Sequence, residues 1–220
     1  MTSGEPVPFR TDAQAGAATP AVVAHLESGG LLAYPTETVY GLGSRATAGD
    51  VAALAELKGR RPGKPFLLLV SDRRMAEAQG LAFNEAASAL ARAFWPGPLT
   101  LVLPGGGGRL PDLLRGPEGG IAVRWTSHAR MARLIAALGE PLTSTSANLP
   151  GSPPAPGPAA VARDFAAAVR AGKLLILDGG VLGNQPPSTV IDCTQPVPRL
   201  VREGALSVAA LRRAVGRLAP

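Results

Sequence analysis

The sequence is poor in cysteine and aromatic residues and has no long apolar run. Its single cysteine, Cys193, excludes an internal disulfide and any metal site built from several cysteines. No stretch approaches the roughly 18 to 20 apolar residues that a bilayer-spanning helix requires. The first 20 residues contain no apolar block of the kind found in signal peptides. Together these absences predict a soluble, cytoplasmic protein without membrane association.

Two common phosphate-binding fingerprints are also missing, and histidine is scarce. The sequence contains neither G-x-x-x-x-G-K-[ST] nor G-x-G-x-x-G. Its two histidines, His25 and His128, fall on a predicted helix and at a predicted helix start, where we expect structural roles. Cys193 has no histidine near it in sequence, so we interpret it as a buried core thiol. These patterns predict no protein-held metal ion and no covalent nucleophile.

The size and composition of the chain suit one well-packed domain. A chain of 220 residues with 46% hydrophobic residues is long enough to bury a substantial core. Lysine and arginine number 22 against 16 acidic residues, a net charge of +6 that suits a partner or substrate rich in phosphate. The abundance of Ala, Gly, Pro and Arg also fits a GC-rich genome, so the charge leaves the function open.

The order of apolar runs and helical patterns predicts an α/β fold. Strand-like runs occupy residues 31–34, 66–70, 99–103, 121–125, 142–145, 174–177, 189–192 and 199–201. Helical patterns begin at Thr19-Pro20 and occupy residues 50–58, 73–79, 84–94, 129–138, 158–172 and 207 onward. This mixture predicts a single domain, residues 19–216, with a mixed twisted sheet flanked by helices. Residues 1–18 are expected to form a flexible N-terminal segment.

Three polar segments are difficult to explain by folding alone. PTETVYGLG, residues 35–43, places hydroxyls, a carboxylate and a phenol after an apolar strand, although a loop with local threonine hydrogen bonds also explains it. KGRRPGK, residues 58–64, holds four cations on a stiff loop that suits a triphosphate; a solubilising basic turn is the alternative. STSAN, residues 144–148, offers neutral hydroxyls and an amide for ribose, phosphate or amino-acid recognition.

In order along the chain, these segments resemble the YrdC/TsaC family of threonylcarbamoyl-AMP synthases. The resemblance covers residues 29–206, and the matching pieces are GGLLAYPTETVYGLG, LKGRRPGKPFLLLV, FWPGPLTLVLP, IAVR, STSANLPGSPP, STVIDC and LVREGAL. Each piece is short, but seven in the family's order and spacing make a specific match. The chain is similar to the short, single-domain members, so the resemblance implies a YrdC-like α/β fold with a concave basic cavity.

The resemblance also implies site residues. The residues that correspond to the ATP-binding motifs are Lys58, Arg60, Lys64, Ser146, Asn148 and Arg202. Lys58 and Arg60 form the K-x-R pair expected at the phosphates and are the implied catalytic residues. The residues that fall where the family binds threonine are Thr36, Thr38, Arg124, Ser144 and Ser188. Arg124 is the natural partner for the threonine carboxylate, since its planar fork fits that group.

The chain departs from the family pattern at several positions. Leu69 stands where relatives with the motif P-L-I-V-H have a histidine, so one contact to threonine is expected to be missing. Trp125-Thr126 replaces the usual small apolar residue and proline. Arg61 follows the K-x-R pair, and Glu203 follows Arg202, where many relatives have proline. These departures affect the expected threonine contacts more than the nucleotide motifs.

The implied reaction is nucleotidyl transfer in tRNA modification. Threonine, bicarbonate and ATP would give threonylcarbamoyl-AMP and pyrophosphate, with Mg²⁺ carried by ATP and the KGRRPGK and Pro-rich loops as candidate lids. The product would serve N6-threonylcarbamoyladenosine formation, so tRNA and a transferring partner protein are expected.

Two other readings remain open. A non-catalytic module that binds double-stranded RNA or tRNA explains the charge, but it should show exposed aromatic residues for stacking, and aromatics are 4% of the chain. Carbamoyl-transfer chemistry of hydrogenase maturation uses a similar domain in a much longer protein.

Overall fold

The computed structural model describes residues 4–59, 65–183 and 185–220. The helices are α1 (Asp12–Glu27), α2 (Ala48–Lys58), α3 (Arg73–Ala78), α4 (Glu85–Phe94), α5 (Ala129–Leu138), α6 (Pro158–Asp164), α7 (Ala166–Arg170) and α8 (Val208–Val215), with a 3₁₀ turn at Asp112–Leu114. The strands are β1 (Val7–Pro8), β2 (Leu31–Tyr34), β3 (Gly41–Gly43), β4 (Leu67–Val70), β5 (Leu99–Leu103), β6 (Ile121–Trp125), β7 (Leu142–Ser146), β8 (Leu174–Asp178), β9 (Thr189–Asp192) and β10 (Arg199–Arg202).

The ten strands form one mixed sheet in the order β1-β8-β2-β3-β7-β4-β6-β5-β9-β10. Strand β4 pairs parallel to β6 and antiparallel to β7, and β5 pairs antiparallel to β6 and parallel to β9. The predicted single α/β domain with a mixed sheet flanked by helices is thus confirmed. None of the helices within the described ranges is both long and apolar enough to cross a membrane.

Helices cover both faces of this sheet. Along β2, Leu31 and Ala33 enter the larger core cluster, whereas Leu32 and Tyr34 enter a second cluster. Since successive side chains of a strand point to opposite faces, the two clusters lie on opposite sides of the sheet. Buried residues of α2, α4, α6, α7 and α8 join the first cluster, and those of α1 and α5 join the second. The face of α1 and α5 is the one that also carries the cavity described below.

The predicted N-cap of the first helix at Thr19 is wrong, because the helix is capped eight residues earlier. Thr11 is the N-cap, and its hydroxyl accepts a hydrogen bond from the backbone N–H of Gln14. The side-chain oxygen of Gln14 in turn accepts from the backbone N–H of Thr11. Pro20 therefore lies inside α1, where proline usually costs about 3 kcal/mol. The helix nevertheless continues through it, with one face buried on both sides of the proline at Ala15, Ala18, Val22 and Leu26.

The N-terminal segment is also more ordered than the sequence suggested. Strand β1 pairs with β8, and Phe9 is fully buried in the second core cluster. The proposed boundary before residue 19 therefore cuts through α1. Residues 7–18 are part of the folded unit, contrary to the expectation of a flexible segment 1–18.

Two further local predictions are corrected by the structure. Residues 158–172 do not form one helix, because Phe165 between α6 and α7 has a non-helical backbone (φ −118°, ψ 28°) and is buried in the core. The loop predicted over PTETVYGLG ends in strand β3, which pairs antiparallel with both β2 and β7. Glycine at residue 43 permits this close approach, since an added Cβ would lie 2.1 Å from the carbonyl oxygen of Thr143.

Candidate functional site

A cavity of about 450 Å³ opens on the sheet face that α1 and α5 cover elsewhere. This volume falls in the range of small-molecule sites. Strands β3, β4, β5, β6, β7, β9 and β10 or the segments beside them contribute its wall. Seven of the residues predicted from the sequence line it, namely Thr36, Thr38, Arg124, Ser144, Ser146, Ser188 and Arg202. None of the described lining residues is acidic, so the wall carries two guanidinium groups among neutral hydroxyls.

The segment after β2 turns tightly to present its two threonines. The Thr36 hydroxyl accepts from the backbone N–H groups of Thr38 and Val39, donates to the carbonyl of Val39 at 2.7 Å, and lies 3.0 Å from the Thr38 hydroxyl. Both threonines are buried. This is the local hydrogen-bonded loop that the sequence suggested, and it also faces the cavity. The threonine hydroxyls of PTETVYGLG therefore both form the local hydrogen bonds of the loop and face the cavity.

Arg124 is the buried cation of the cavity. It lies on β6 with 4% of its surface exposed, and its Nη1 is 3.4 Å from the Thr38 hydroxyl. Its Nε has no hydrogen-bond partner in the described part of the chain. A buried guanidinium with an unused donor is costly unless an anion pairs with it. The geometry therefore suits a small carboxylate or similar anion in front of Arg124.

Ser188 and Arg202 form the opposite wall. The Arg202 guanidinium donates to the Ser188 carbonyl at 2.8 Å and to the Ser188 hydroxyl at 3.2 Å. That hydroxyl lies 2.9 Å from the hydroxyl of Thr100. Burial, with the nearby charge of Arg124, lowers the pKa of Arg202 from its ordinary value. The charge of Arg124 thus acts on Arg202, and two cations that line one cavity favour an anion between them.

Lys58, the first residue of the K-x-R pair, contacts the S-x-N motif beside the cavity. Lys58 is buried at the end of α2, and its Nζ donates to the Ser146 carbonyl at 2.8 Å, to the Asn148 side-chain oxygen at 2.9 Å and to the Asn148 carbonyl. Neither Lys58 nor Asn148 is among the residues that line the cavity. Arg60 and Lys64, which the sequence also assigned to ATP, lie outside the described residues.

Asn148 also holds the start of the Pro-rich loop. Its amide nitrogen donates to the carbonyls of Leu149 and Ser152, at 2.9 and 2.7 Å, and its oxygen accepts from the Ser146 hydroxyl. Further along, the backbone N–H of Ala155 donates to the carbonyl of Ala147. The loop predicted as a lid is therefore hydrogen-bonded at Ser152 and Ala155 to the residues that directly follow β7.

The histidines and the cysteine lie away from the cavity wall. His128 caps α5, where its Nδ1 accepts from the backbone N–H of Met131, and burial lowers its pKa. His25 is within 2.9 Å of the carbonyl of Leu31. Burial raises the pKa of the Cys193 thiol to about 12, which keeps it protonated. The expected structural roles of the histidines and the buried thiol agree with these placements.

Leu69, the position of the histidine departure, is fully buried in the second core cluster. It does not line the cavity; Leu67, two residues earlier on the same face of β4, does.

Three polar residues around the cavity were missed from the sequence. Thr100 lines it from an otherwise apolar strand, and a lone buried hydroxyl in LTLVL was the available signal. Glu37 lies 3.8 Å from Nη1 of Arg124 and accepts from the hydroxyl of Thr126. No local pattern predicted this pairing, because the partners are 87 and 89 residues apart and meet only in the sheet. The described residues hold no cluster of three or more His, Cys, Asp or Glu side chains suited to a metal ion.

Comparisons with known proteins identify relatives over most of the chain. The chain is 40% identical over 176 residues to a threonylcarbamoyl-AMP synthase of Thiobacillus denitrificans, an alignment that covers 80% of this chain and 90% of the relative. It is 36% identical over 194 residues to a threonylcarbamoyl-AMP synthase of Pyrococcus abyssi, covering 88% of this chain but 56% of that protein. The chain thus spans little more than half of the Pyrococcus relative.

A solved structure and a family model agree with these alignments. The crystal structure of P. abyssi Sua5 complexed with L-threonine superimposes with a TM-score of 0.86 and 33% sequence identity, covering 98% of this chain and 62% of that one. The model of the Sua5, YciO and YrdC proteins, described as "Telomere recombination", matches residues 24–204. The match spans well over half of the chain, and the fold agrees with it. The chain therefore belongs to the Sua5/YciO/YrdC family.

Proposed function

We propose that this protein is an L-threonylcarbamoyladenylate synthase, which makes threonylcarbamoyl-AMP and pyrophosphate from L-threonine, bicarbonate and ATP. The observation that carries the proposal is Arg124, a buried cation that lines a cavity together with several neutral hydroxyls. The Arg124 fork would take the carboxylate of threonine. Thr36, Thr38, Ser144 and Ser188 would surround the rest of the amino acid.

The relatives support this choice of substrates. Two of them bear the name threonylcarbamoyl-AMP synthase, and the P. abyssi Sua5 structure is a complex with L-threonine. The cavity of this chain is also of a size for an amino acid and bicarbonate together, at about 450 Å³. ATP would then lie across the edge of the cavity at Ser146, next to Lys58 and Asn148.

The proposed chemistry has two steps. The neutral amine of threonine attacks the carbon of bicarbonate, a C–N bond forms, and water leaves to give an N-carboxylate. An oxygen of this N-carboxylate then attacks the α-phosphorus of ATP, and the bond to the β-phosphate bridging oxygen breaks with release of pyrophosphate. No redox partner is required, and no side chain becomes covalently modified.

The main barrier in the second step is electrostatic, since several negative charges converge. Arg202 faces the cavity, and Lys58 with Arg60 and Lys64 would neutralise charge that develops on the phosphates and the leaving group. Because the described residues offer no cluster of metal ligands, Mg²⁺ would be held by the phosphates of ATP. Lys58 now donates to Ser146 and Asn148, so a phosphate oxygen would have to replace at least one of these acceptors.

The N-carboxylate is labile in water, so the cavity also needs to limit solvent. Its wall of buried strand residues already excludes water from one side, and the KGRRPGK and Pro-rich loops are the segments that could cover the other. The product would be consumed by transfer of its threonylcarbamoyl group to tRNA, with a partner protein, in the cytoplasm.

An amino-acid panel tests the proposal. Pyrophosphate release should require ATP, bicarbonate and L-threonine, and should be weak with L-serine, L-valine or L-allo-threonine. Lys58→Ala and Arg60→Ala should each lower the threonine-dependent rate about 100-fold or more, because each removes a charge from the phosphate site. Arg163→Ala, an exposed arginine paired with its neighbour Asp164, is the matched control and should keep the full rate.

Two results would contradict the proposal. Unchanged turnover in both K-x-R variants would show that Lys58 and Arg60 do not act at the phosphates of ATP. Salt-dependent tRNA binding with no ATP turnover under any amino acid would favour the non-catalytic RNA-binding module instead.

A further inference from the structure

We propose that Glu37 and Thr126 form a support behind Arg124 and act as positioning residues for the recognition of threonine. This inference rests on the proposed function and adds to it the device that holds the carboxylate-binding arginine in place. Neither Glu37 nor Thr126 lines the cavity.

Glu37 lies between two cavity residues but does not share their orientation. Thr36 and Thr38 line the cavity, whereas the Glu37 side chain accepts a hydrogen bond from the Thr126 hydroxyl through Oε2. Its second oxygen, Oε1, is buried, lies 3.8 Å from Nη1 of Arg124 and has no hydrogen-bond partner among the described residues. The carboxylate is therefore held by one oxygen and directs the other toward the guanidinium.

Arg124 needs such a support because it is a buried cation that faces a second cation. Among the described residues its one ion-pair partner is Glu37, and the two side chains are 5% and 16% exposed. Arg202 lies across the cavity, and the charge of Arg124 contributes to lowering the Arg202 pKa. Without the Glu37 carboxylate, repulsion between the two guanidinium groups would displace the Arg124 side chain, which would no longer be held in one orientation.

Thr126 connects this support to the end of β6. Its hydroxyl donates to Glu37 and accepts from the backbone N–H of His128 at 3.1 Å. Thr126 follows directly after β6, which ends at Trp125. In this chain the connection from β6 to α5 therefore carries its own hydrogen bond to the Glu37 carboxylate.

The distance between the Glu37 carboxylate and the Arg124 guanidinium is longer than in a hydrogen-bonded ion pair. A hydrogen-bonded ion pair would have N and O about 2.8 Å apart. At 3.8 Å, Glu37 balances the charge of Arg124 without accepting a hydrogen bond from it. A support of this kind should affect how tightly threonine binds and should leave the chemistry at the phosphates nearly unchanged.

Glu37→Gln tests the carboxylate. The amide keeps an acceptor for Thr126, but it removes the charge and can place a donor opposite Arg124. We expect the KM for threonine to rise about tenfold, with kcat and the KM for ATP within about twofold of wild type. Glu140→Gln is the matched control, because Glu140 also pairs with an arginine, Arg45, but lies away from the cavity.

Thr126→Val and Thr126→Ser test the hydroxyl. Valine keeps the volume and removes both hydrogen bonds, so the KM for threonine should rise by about threefold to tenfold. Serine keeps the hydroxyl and should restore the wild-type KM. A purely structural role would lower stability or kcat in the valine variant without this selective change in KM.

A second measurement does not depend on turnover. In ¹⁵N-labelled protein, the Nε–H of Arg124, assigned with Arg124→Lys, should exchange with solvent faster in Glu37→Gln and Thr126→Val than in wild type or Thr126→Ser. Equal exchange rates in all four proteins, or an unchanged threonine KM in Glu37→Gln, would contradict the proposal that Glu37 and Thr126 position Arg124. Wild-type protein that shows no threonine-dependent turnover would overturn the proposed function instead, and the exchange rates would still decide the role of Glu37.

Discussion

The two halves of the candidate site are built in different ways. The amino-acid half combines side chains of β6 and β7 with residues of the segments that precede β3 and β9, and its five predicted threonine-binding residues all line one cavity. The nucleotide half lies at loop starts: Lys58 ends α2, and Asn148 follows β7. Lys58 and Asn148 bond to one another and to the start of the Pro-rich loop and do not line the cavity, although Ser146 and Arg202 of the same predicted set do.

This difference indicates which half is ready for its ligand. In the amino-acid half, Arg124 and Arg202 line the cavity and no described lining residue is acidic, so an anion could bind there without displacing a carboxylate. In the nucleotide half, Lys58 and Asn148 already donate to acceptors of the protein, which ATP would have to replace. We therefore expect threonine recognition to depend on rigid strands and ATP recognition to depend on rearrangement of loops.

Arg124→Ala should have the largest effect, because it removes the central cation of the amino-acid half. Threonine-dependent pyrophosphate release should fall about 100-fold or more, mostly through weaker threonine binding. Arg124→Lys keeps the charge but not the planar fork, so it should be intermediate. Steady-state kinetics and calorimetric binding of threonine check this, and wild-type affinity in Arg124→Ala would contradict the assignment.

Asn148→Ala should affect the other half. The substitution removes one of the three acceptors of Lys58 and the two donors that hold the Pro-rich loop, so the KM for ATP should rise about tenfold while threonine binding changes much less. Asn148→Asp keeps an acceptor for Lys58 and loses the donors, which separates the two contributions. Equal loss of threonine and ATP affinity would show that the two halves are not independent.

Gly204→Ala should disturb the amino-acid half through the backbone next to Ser188. An added Cβ would lie 2.2 Å from the carbonyl oxygen of Pro187 and 2.7 Å from the carbonyl carbon of Ser188. The Ser188 segment must therefore move, and we expect a loss of about 1–3 kcal/mol in the free energy of unfolding. Gly49→Ala, in open space on α2, is the control and should not destabilise. Urea unfolding and threonine KM measure both effects.

His128→Asn should have the smallest effect, limited to the pH dependence of stability. The folded-state pKa of His128 lies below its ordinary value of 6.5, chiefly through burial. Below pH 6.5 the unfolded chain therefore binds a proton that the folded chain resists, and stability falls as the pH decreases from this value. Asparagine still caps α5 but does not titrate in this range, so the free energy of unfolding should depend less on pH between 5 and 7.

Much of the fold could be predicted because the relevant signals are local. Strands β2, β5, β6 and β9 and helix α5 have the predicted bounds, and their apolar runs are separated by clear turn or cap residues. The errors occurred where distant partners override local preference. Gly41–Gly43 contains two glycines, which are poor strand formers, yet it is a strand because β2 and β7 supply hydrogen bonds on both sides.

The site shows the same division. The motifs around Thr36, Ser144 and Ser188 were visible because polar residues interrupt apolar strands. The pairing of Glu37 with Arg124 and Thr126 was not visible, because a carboxylate next to two threonines reads locally as part of a polar loop. Of the described residues assigned to the nucleotide half, Ser146 and Arg202 line the cavity, whereas Lys58 and Asn148 do not.

The sequence by itself determined the class of the fold, the family and the types of side chain available for anion and hydroxyl recognition. These properties follow from apolar periodicity and from motifs of a few residues, which need no knowledge of distant contacts. The tertiary structure alone decided which of those side chains share a cavity, which are used to hold loops, and which carboxylate stands behind Arg124. Sheet order made those choices, since it placed β3, β7, β4 and β6 side by side although they are far apart in the chain.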